Sequence, residues 1–281
     1  MIETTQFEQV TQIRMSRELD GRPVYWVAAY LVDGLLIDTG CSHTSAELAV
    51  FLQDKHLSQV VNTHYHEDHM GGNHDIMERF SVEIYAPPIS IPLIANRFHL
   101  YPYQEIAWGY PVPTTVKPLG DIIKTDHHTF QVVQTPGHCA DHICLFEPCK
   151  GWCFTGDLFA REKPKFIRPE ENVGEIIQSM RRIMDLPSKR LVLLTSVGKI
   201  LEDGRTALSR CIDYFTNLAA KVRELHQSGL SIEDIMEREF GGEHSFAEFT
   251  NGQFSTYNLV RSLLETVSYA DLSIDCEDKA D

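Results

Sequence analysis

The run His64-Tyr65-His66-Glu67-Asp68-His69 decides how this chain is interpreted. Four of its six side chains, those of His64, His66, Asp68 and His69, are metal-ligand types. The run follows an apolar stretch at residues 58–63 that predicts a short strand. Imidazole suits zinc, iron and related ions, and a carboxylate adds charge or bridges a second ion. We therefore predict a loop that presents ligands to a metal site.

The order of these side chains fits a loop better than a helix. In an H-E-x-x-H motif, the ligands lie on one helical face. A loop can instead turn its side chains in two directions and serve two ions at once. We expect His64 and His66 to point to one ion, and Asp68 and His69 to point to its neighbour.

Two further turns carry one ligand-type side chain each. The turn Thr-Pro-Gly-His at residues 135–138 ends in His138, and the turn Thr-Gly-Asp at residues 155–157 ends in Asp157. Each turn directly follows an apolar stretch that predicts a strand. Three such turns are hard to assemble by chance. We expect His138 and Asp157 to meet the first run at one edge of a sheet.

Apolar periodicity predicts short strands interspersed with helices as far as residue 205. A hairpin is expected at residues 22–38, with Asp33-Gly34 as its turn. The remaining predicted elements are helices at residues 44–56, from Gly72 through Arg79 and at 172–186, and strands at 82–85, 128–134, 143–147, 152–155 and 190–195. This order of elements predicts an α/β fold, in which helices cover a mixed β-sheet. We assign residues 1–205 to this first structural unit.

The least regular stretch is residues 86–120, which hold seven prolines. An aromatic set occurs in the same stretch: Phe98, Tyr101, Tyr103, Trp108 and Tyr110. A long irregular segment inside a compact domain is often a lid or a binding loop. A proline-rich surface excursion is the alternative, and the sequence does not decide between the two.

The chain changes character after Gly204. Apolar residues from Leu208 to Leu225 follow the spacing of an amphipathic helix, and further helices are expected after Ser231 and near residues 257–265. We predict a helical extension at residues 206–270 and a frayed acidic tail at 271–281. The extension either packs on the first unit, shapes the substrate mouth or forms a dimer contact.

Composition narrows the classes of function. The formal net charge is −15, from 25 basic and 40 acidic residues, which argues against a nucleic-acid substrate. The odd number of cysteines, seven, favours reduced thiols over a disulfide framework. We see no signal peptide and no apolar run of ~20 residues, so the expectation is a cytoplasmic protein without a membrane partner.

The three turns match the motifs of the metallo-β-lactamase superfamily in order and spacing, and residues 30–34 and 36–40 resemble its N-terminal hairpin. The resemblance covers about residues 20–205. It implies a four-layer αβ/βα sandwich of two mixed β-sheets with outer helices. It also implies a set of metal ligands: His64, His66 and His138 on a first ion, Asp68 and His69 on a second, and Asp157 bridging them. The helical extension resembles the glyoxalase II-like and quorum-response branches more than the true β-lactamases.

One departure from the family pattern concerns its last ligand. The family usually places a histidine after the final core strand, and Val197 stands at that position here. No histidine occurs between His142 and His226, so a small shift of alignment does not restore the ligand. Water, or His142 or His244 if the fold carries it there, would have to complete the second site.

The resemblance implies hydrolysis of a small ester, lactone or thioester. One or two divalent ions, zinc first and iron or manganese as alternatives, would acidify the attacking water, and Asp68 would act as the catalytic residue that orients it or relays its proton. Arg161, Lys163 and Lys165 are candidates for contacting an anionic substrate, or else an exposed basic face. The alternatives are a weakly catalytic or non-catalytic effector that binds a small ligand, and a di-iron oxidoreductase. The sequence does not decide whether the protein forms a homodimer.

Overall fold

The computed structural model describes residues 1–266, which contain fifteen strands and ten α-helices. The predicted acidic tail at residues 271–281 lies outside this range. In chain order the strands are β1 (Ile2–Phe7), β2 (Val10–Met15), β3 (Glu18–Leu19), β4 (Arg22–Pro23), β5 (Val27–Val32), β6 (Leu35–Ile37), β7 (Gln59–Val61), β8 (Glu83–Ala86), β9 (Lys117–Pro118), β10 (Ile122–Lys124), β11 (Thr129–Gln134), β12 (Ile143–Glu147), β13 (Trp152–Phe154), β14 (Val192–Leu194) and β15 (Ile200–Leu201).

Of the helices in the described residues, the four longest (α6, α7, α8 and α10 below) lie in the second half of the chain. In chain order they are α1 (Ser45–Leu52), α2 (Glu67–Met70), α3 (Asn73–Phe80), α4 (Ile91–Ile94), α5 (Pro102–Ala107), α6 (Val173–Met184), α7 (Gly204–Gln227), α8 (Ile232–Phe240), α9 (Phe246–Phe249) and α10 (Thr256–Glu265). None of these helices combines the length and hydrophobicity that a membrane crossing requires.

The strands form two large mixed sheets and one small hairpin. The first sheet has the spatial order β1-β2-β5-β6-β7-β8-β9, antiparallel as far as β6 and parallel from β6 to β9. The second has the order β10-β11-β12-β13-β14-β15, in which only the β13–β14 pair is parallel. Strands β3 and β4 pair separately.

Strand β12 shows how the layers are built. All five of its residues are buried, because both faces of the strand are covered. Ile143 and Leu145 belong to the cluster between the sheets, whereas Cys144 and Phe146 belong to the cluster on the far side. Successive side chains of a strand point to opposite faces, so a strand buried on both faces reads as a continuous apolar run.

Helices cover the outer face of each sheet. Helices α1 and α3 pack on the first sheet through Leu48, Leu52 and Ile76. Helices α6, α7, α8 and α10 share one apolar cluster with the outer face of the second sheet. The predicted four-layer sandwich is therefore confirmed.

The helices after Gly204 pack on the sandwich. Leu208, Phe215 and Leu259 of this region lie in the same buried cluster as Phe146 and Leu193 of the second sheet. The predicted cap at Ser231 is present, since its Oγ accepts from the N–H of Asp234. The boundary at residue 206 stays a prediction, and helix α7 begins at Gly204.

Two predictions of local structure were wrong. No element was predicted before residue 22, yet β1 and β2 form a hairpin there. The predicted first strand of the 22–38 hairpin begins too early, because residues 24–26 lie outside any strand and β5 begins at Val27. The irregular stretch at residues 86–120 does contain short helices, α4 and α5.

We expect the shared cluster to make the helices after Gly204 part of one cooperative unit. Leu208 is fully buried in it, so Leu208→Ala should lower the free energy of unfolding by ~2–5 kcal/mol and keep a single transition in urea. The control Thr216→Ala changes an exposed position of the same helix and should stay within ~0.5 kcal/mol of the wild type. Two separate transitions in the wild type would contradict a shared core.

Candidate metal centre

The three predicted turns meet at one end of the sandwich. His64 and His66 lie in the loop after β7, as predicted, but the loop prediction was wrong for Asp68 and His69, which lie in the short helix α2. His138 follows β11 of the second sheet, and Asp157 follows β13 of that sheet. The ends of strands from two different sheets therefore bring together side chains that are up to 93 residues apart in sequence. Every predicted ligand residue lies in or beside this cluster.

Three imidazole nitrogens form the first half of the cluster. His66 Nδ1 lies 3.0 Å from His64 Nε2 and 3.0 Å from His138 Nε2. A single ring nitrogen has either one proton or one in-plane lone pair, so it cannot form good hydrogen bonds in both directions. A cation between the three nitrogens would accept a lone pair from each.

Neighbouring groups fix the orientation of His138. Its Nδ1 lies 2.8 Å from Glu171 Oε1, and a carboxylate can only accept, so the proton is on Nδ1. The Nε2 lone pair then faces the cluster. A histidine held by a carboxylate in this way is typical of metal sites.

The second half of the cluster contains His69 and two carboxylates. His69 Nδ1 lies 2.7 Å from Asp38 Oδ2, which turns Nε2 toward Asp157 Oδ1 at 3.2 Å. Asp157 Oδ2 lies 3.2 Å from His138 Nε2, so this carboxylate stands between the two halves. Asp68 lies further out, with its Oδ2 4.0 Å from His69 Nε2.

Unsatisfied buried atoms test whether these residues fit a metal. Asp68 Oδ1 is buried and has no hydrogen-bond partner among residues 1–266, and His66 Nδ1 faces two ring nitrogens at once. Buried polar atoms in folded proteins are otherwise nearly always paired. Nitrogen and carboxylate donors in this number suit zinc and similar divalent ions, so the residues fit one or two such ions.

The protonation states agree with this fit for two of the histidines. Burial lowers the pKa of His64 well below its ordinary value, and the neighbouring rings of His69 and His66 add to the effect. Burial also lowers the pKa of His66, and the cation of Arg168 lowers it further. Both rings are therefore neutral near pH 7, which is the form that binds metal.

The pKa values of Asp68 and Asp157 shift in opposite directions. Burial raises the pKa of Asp68 to about 7. Burial also works against ionisation of Asp157, but His69 and His138 outweigh it and hold the pKa of Asp157 well below the ordinary value. For His69, burial is outweighed by Asp38 and Asp157, which raise the pKa of the ring well above its usual range. The cluster thus balances its negative groups with protons when no cation is bound.

Two glycines make the close approach of the turns possible. Gly156 has a positive φ of 46°, and a Cβ there would lie 2.6 Å from His142 Nε2 and 3.1 Å from Thr63 Oγ1. Gly137 has a φ of 129°, and a Cβ there would lie 2.5 Å from the backbone nitrogen of Ile176. Both the backbone angle and the space therefore require glycine immediately before Asp157 and His138.

The expected gap at the last ligand is present. Val197 lies in the turn between β14 and β15, and the neighbouring Ser196 Oγ donates to Asp157 Oδ1. His142 does not replace the missing ligand, because its Nε2 accepts from the N–H of Asp157 at 3.0 Å. His244 packs on Phe166 and accepts from the N–H of Phe246, so it is also used elsewhere.

Sequence reasoning missed several groups around the cluster. Asp38 and Glu171 hold His69 and His138, and Ser196 holds Asp157. The buried thiol of Cys139 also lies near the first half, since its Sγ and the ligand nitrogens of His64, His66 and His138 are within 4.8 Å of one another. Asp38 lies inside the hairpin motif at residues 36–40, Cys139 follows His138 and Ser196 precedes Val197, whereas Glu171 had no local signal.

A cavity of about 110 Å³ opens beside the cluster. Asp68, His138 and Asp157 form its metal-side wall. The other walls are largely aromatic, and the rings belong to Tyr25, Trp108, Phe159, Phe166, Phe215 and Phe254. The helical extension contributes Phe215 and Phe254, so it shapes this cavity as well as packing on the sandwich.

The predicted aromatic and basic groups are only partly at this cavity. Of the aromatic residues in the stretch 86–120, only Trp108 lines it, while Tyr103 is buried in the first outer layer. Of the predicted basic residues, Arg161 lines the cavity, and Lys163 lies in a different surface groove. The buried cation of the cavity is Arg168, which sequence reasoning did not identify.

Comparison with known proteins gives a consistent picture. A family model described as "Metallo-beta-lactamase superfamily" matches residues 26–195. A hydroxyacylglutathione hydrolase of Maricaulis maris is 30% identical over 134 residues, which is 47% of this chain and 45% of that protein. A probable metallo-hydrolase, YybB, of Bacillus subtilis is 28% identical over 152 residues, which is 52% of this chain and 68% of that protein. The match thus spans less than half the length of the first relative.

A solved structure resembles the chain over most of its length. It is a β-lactamase domain protein from Burkholderia ambifaria, with a TM-score of 0.63 and 19% identity. The alignment covers 94% of this chain and 82% of that chain. At this identity the likeness concerns the fold alone, and it extends beyond the residues that the family model matches.

The contact between Glu171 and His138 predicts a measurable pKa. Burial works against a charged His138 ring, but Asp157 and Glu171 outweigh it and raise the pKa. In metal-free protein Glu171→Gln should therefore lower the pKa of His138, measured by NMR titration of the ring, while Glu175→Gln should not change it. A raised pKa stabilises the fold below ~6.5, the unfolded value, and this contribution is lost as pH rises through the folded pKa. An unchanged His138 titration in the first variant would contradict the assigned contact.

Proposed function

This chain belongs to the metallo-β-lactamase superfamily, and on that premise we propose that it is a metal-dependent hydrolase of a small ester, lactone or thioester. The observation that supports this most strongly is the close approach of three imidazole nitrogens, those of His64, His66 and His138, around one point. Thioester cleavage is included because a hydroxyacylglutathione hydrolase is among the relatives.

We assign the ligands by the two halves of the cluster. His64 Nε2, His66 Nδ1 and His138 Nε2 would hold a first ion, for which zinc is the expected metal. Asp68, His69 and Asp157 would hold a second ion, and Asp157 would be shared between the two ions. The second set lacks the imidazole that Val197 replaces, so we expect weaker binding there.

The chain's own residues prepare the reaction around such an ion. A bound divalent cation supplies positive charge that acidifies a nearby water and polarises the substrate carbonyl. Asp68 borders the cavity with one carboxylate oxygen free, so it can orient the attacking water and hold its proton. Burial raises the pKa of Asp68 in the metal-free protein, and a cation beside it would counter this effect and favour the ionised form that accepts a proton.

The cavity limits the substrate. A volume of about 110 Å³ is smaller than the ~150 Å³ cavity that accommodates a benzene ring in another protein. We therefore propose that a small acyl group enters the cavity beside the cluster and that the leaving group extends toward solvent. Rings such as Trp108 and Phe254 would exclude water from the acyl group.

The replacement at Val197 favours a second candidate function. A chain with an incomplete second site could bind a small ligand and hydrolyse it slowly or not at all. Metal analysis combined with a panel of esters and thioesters separates the two. Two equivalents of metal with good turnover favour the hydrolase, and one equivalent or none, with tight ligand binding and no turnover, favours the effector.

Removal of a first-site ligand should abolish both metal binding and turnover. His64→Ala and His66→Ala should each lose the first ion and at least ~10³-fold in kcat/KM, because the ion supplies the nucleophile and the electrostatic stabilisation. Elemental analysis and an ester assay measure the two effects. The control His74→Ala removes a half-buried histidine of helix α3 outside the cluster and should retain both. Full metal and full activity in His64→Ala would refute the assignment.

Restoring an imidazole at position 197 should strengthen the second site. We expect Val197→His to bind the second equivalent of zinc at least ~10-fold more tightly than the wild type, the lower end of what ligand-supporting groups contribute. Calorimetric titration of metal-free protein gives both affinities. Val197→Thr keeps the shape of the side chain without the imidazole and should behave as the wild type does. Identical second-site affinity in Val197→His would show that position 197 does not face this ion.

A further inference from the structure

Arg168 is a buried cation on the wall of the cavity described above. It follows β13 in the long loop that leads to α6, and only 5% of its surface is exposed. Its guanidinium lies over the rings of Phe254, at 5.0 Å, and Trp108, at 6.0 Å. The charge acts on the cluster as well, since Arg168 adds to the burial that lowers the pKa of His66.

The guanidinium is poorly satisfied for so buried a group. Its nearest carboxylate oxygens are Glu170 Oε1 at 3.7 Å and Glu67 Oε1 at 3.8 Å, both too far for a hydrogen bond. Within residues 1–266 its side chain donates no hydrogen bond, and its Nε is fully buried without a partner. An arginine has five N–H donors in a fixed fork, and buried donors are normally paired.

A purely structural role does not account for this arrangement. Arg168 could serve only to neutralise the buried carboxylate of Glu67. However, Glu67 Oε1 already accepts from Gln104 Nε2 at 2.7 Å, and Arg168 stays at ion-pair distance from it. The charge is thus partly balanced, while the hydrogen-bonding capacity of the fork remains unused.

A second unsatisfied donor lies on the same wall. The indole Nε1 of Trp108 is buried, has no hydrogen-bond partner among the described residues and belongs to the cavity lining. The two donors are neighbours, because the guanidinium carbon of Arg168 is 6.0 Å from the Trp108 ring centre. Both residues line the cavity, and together they offer N–H donors of two kinds and one positive charge, which are complementary to an anion with two oxygens.

We propose that Arg168 and Trp108 bind a carboxylate of the substrate, so that the natural substrate is an ester or thioester of a small dicarboxylic acid. This inference rests on the proposed hydrolase function and names its substrate class. The free carboxylate accepts hydrogen bonds from the planar fork and the indole N–H, which places the ester carbonyl toward Asp68 and the metal-ligand cluster. The net charge of −15 repels anions in general, so a buried local cation is what allows such a substrate to bind.

The test compares two esters of equal chain length, an aryl monoester of succinate and the aryl ester of butyrate. The zinc-loaded wild type should prefer the succinate ester in kcat/KM by ~10- to 100-fold, the range expected for hydrogen bonds between charged groups. In Arg168→Gln this ratio should fall to within ~3-fold of one, mainly through the KM of the succinate ester. The control Arg210→Gln removes an equal charge from an exposed position paired with Glu162 and should retain the preference.

Trp108→Phe provides a variant that keeps the aromatic packing. It keeps an aromatic ring at this position and removes the indole N–H, so the ratio should fall by ~3- to 10-fold even if Arg168→Gln folds poorly. Thermal unfolding and zinc content confirm that each variant is folded and loaded. A wild type without preference for the anionic ester, or an Arg168→Gln that retains it, would overturn the inference while leaving the hydrolase proposal intact.

Hydrolysis of neither ester would instead count against the proposed function. Calorimetric titration with monomethyl succinate then tests whether Arg168 binds a carboxylate, and this measurement does not require turnover. We expect binding to the wild type and at least ~10-fold weaker binding to Arg168→Gln. Equal affinities in the two proteins would overturn the inference.

Discussion

Histidines and carboxylates are confined, largely buried, at one end of the sandwich, and this is the constraint on which the rest depends. His66 Nδ1 meets two other ring nitrogens at 3.0 Å, and it cannot form a good hydrogen bond with both. Burial keeps the His64 and His66 rings neutral by lowering their pKa. A divalent cation resolves both problems, since it accepts the lone pairs and balances the adjacent carboxylates.

The architecture serves this confinement. Strand ends from two different sheets supply the ligands, and a second set of groups orients them. Asp38 fixes His69, Glu171 fixes His138, and the small size of Gly156 lets the turn before Asp157 approach His142. The helices after Gly204 complete the outer layer and also wall the cavity through Phe215 and Phe254. The same packing therefore stabilises the fold and shapes the cavity.

The sequence predicted the turns of the cluster because each carries its ligand next to a strand that ends locally. Strand β12 was predicted for a similar reason, since burial on both faces makes it a continuous apolar run. The β1–β2 hairpin was missed because β1 is largely exposed and polar, and its turn uses Glu8 at positive φ where a glycine would have been a signal. Glu171 and Arg168 were missed because their roles come from contacts with residues 33 and 101 positions away in sequence.

We infer that this cluster holds a divalent ion between three imidazoles. Anomalous diffraction at the zinc edge, on crystals of zinc-loaded protein, tests this most directly. We predict a peak at ~2.0–2.1 Å from His64 Nε2, His66 Nδ1 and His138 Nε2, the usual length of zinc–nitrogen bonds. A map without a peak among these three nitrogens, in crystals whose solution contains excess zinc, would contradict it.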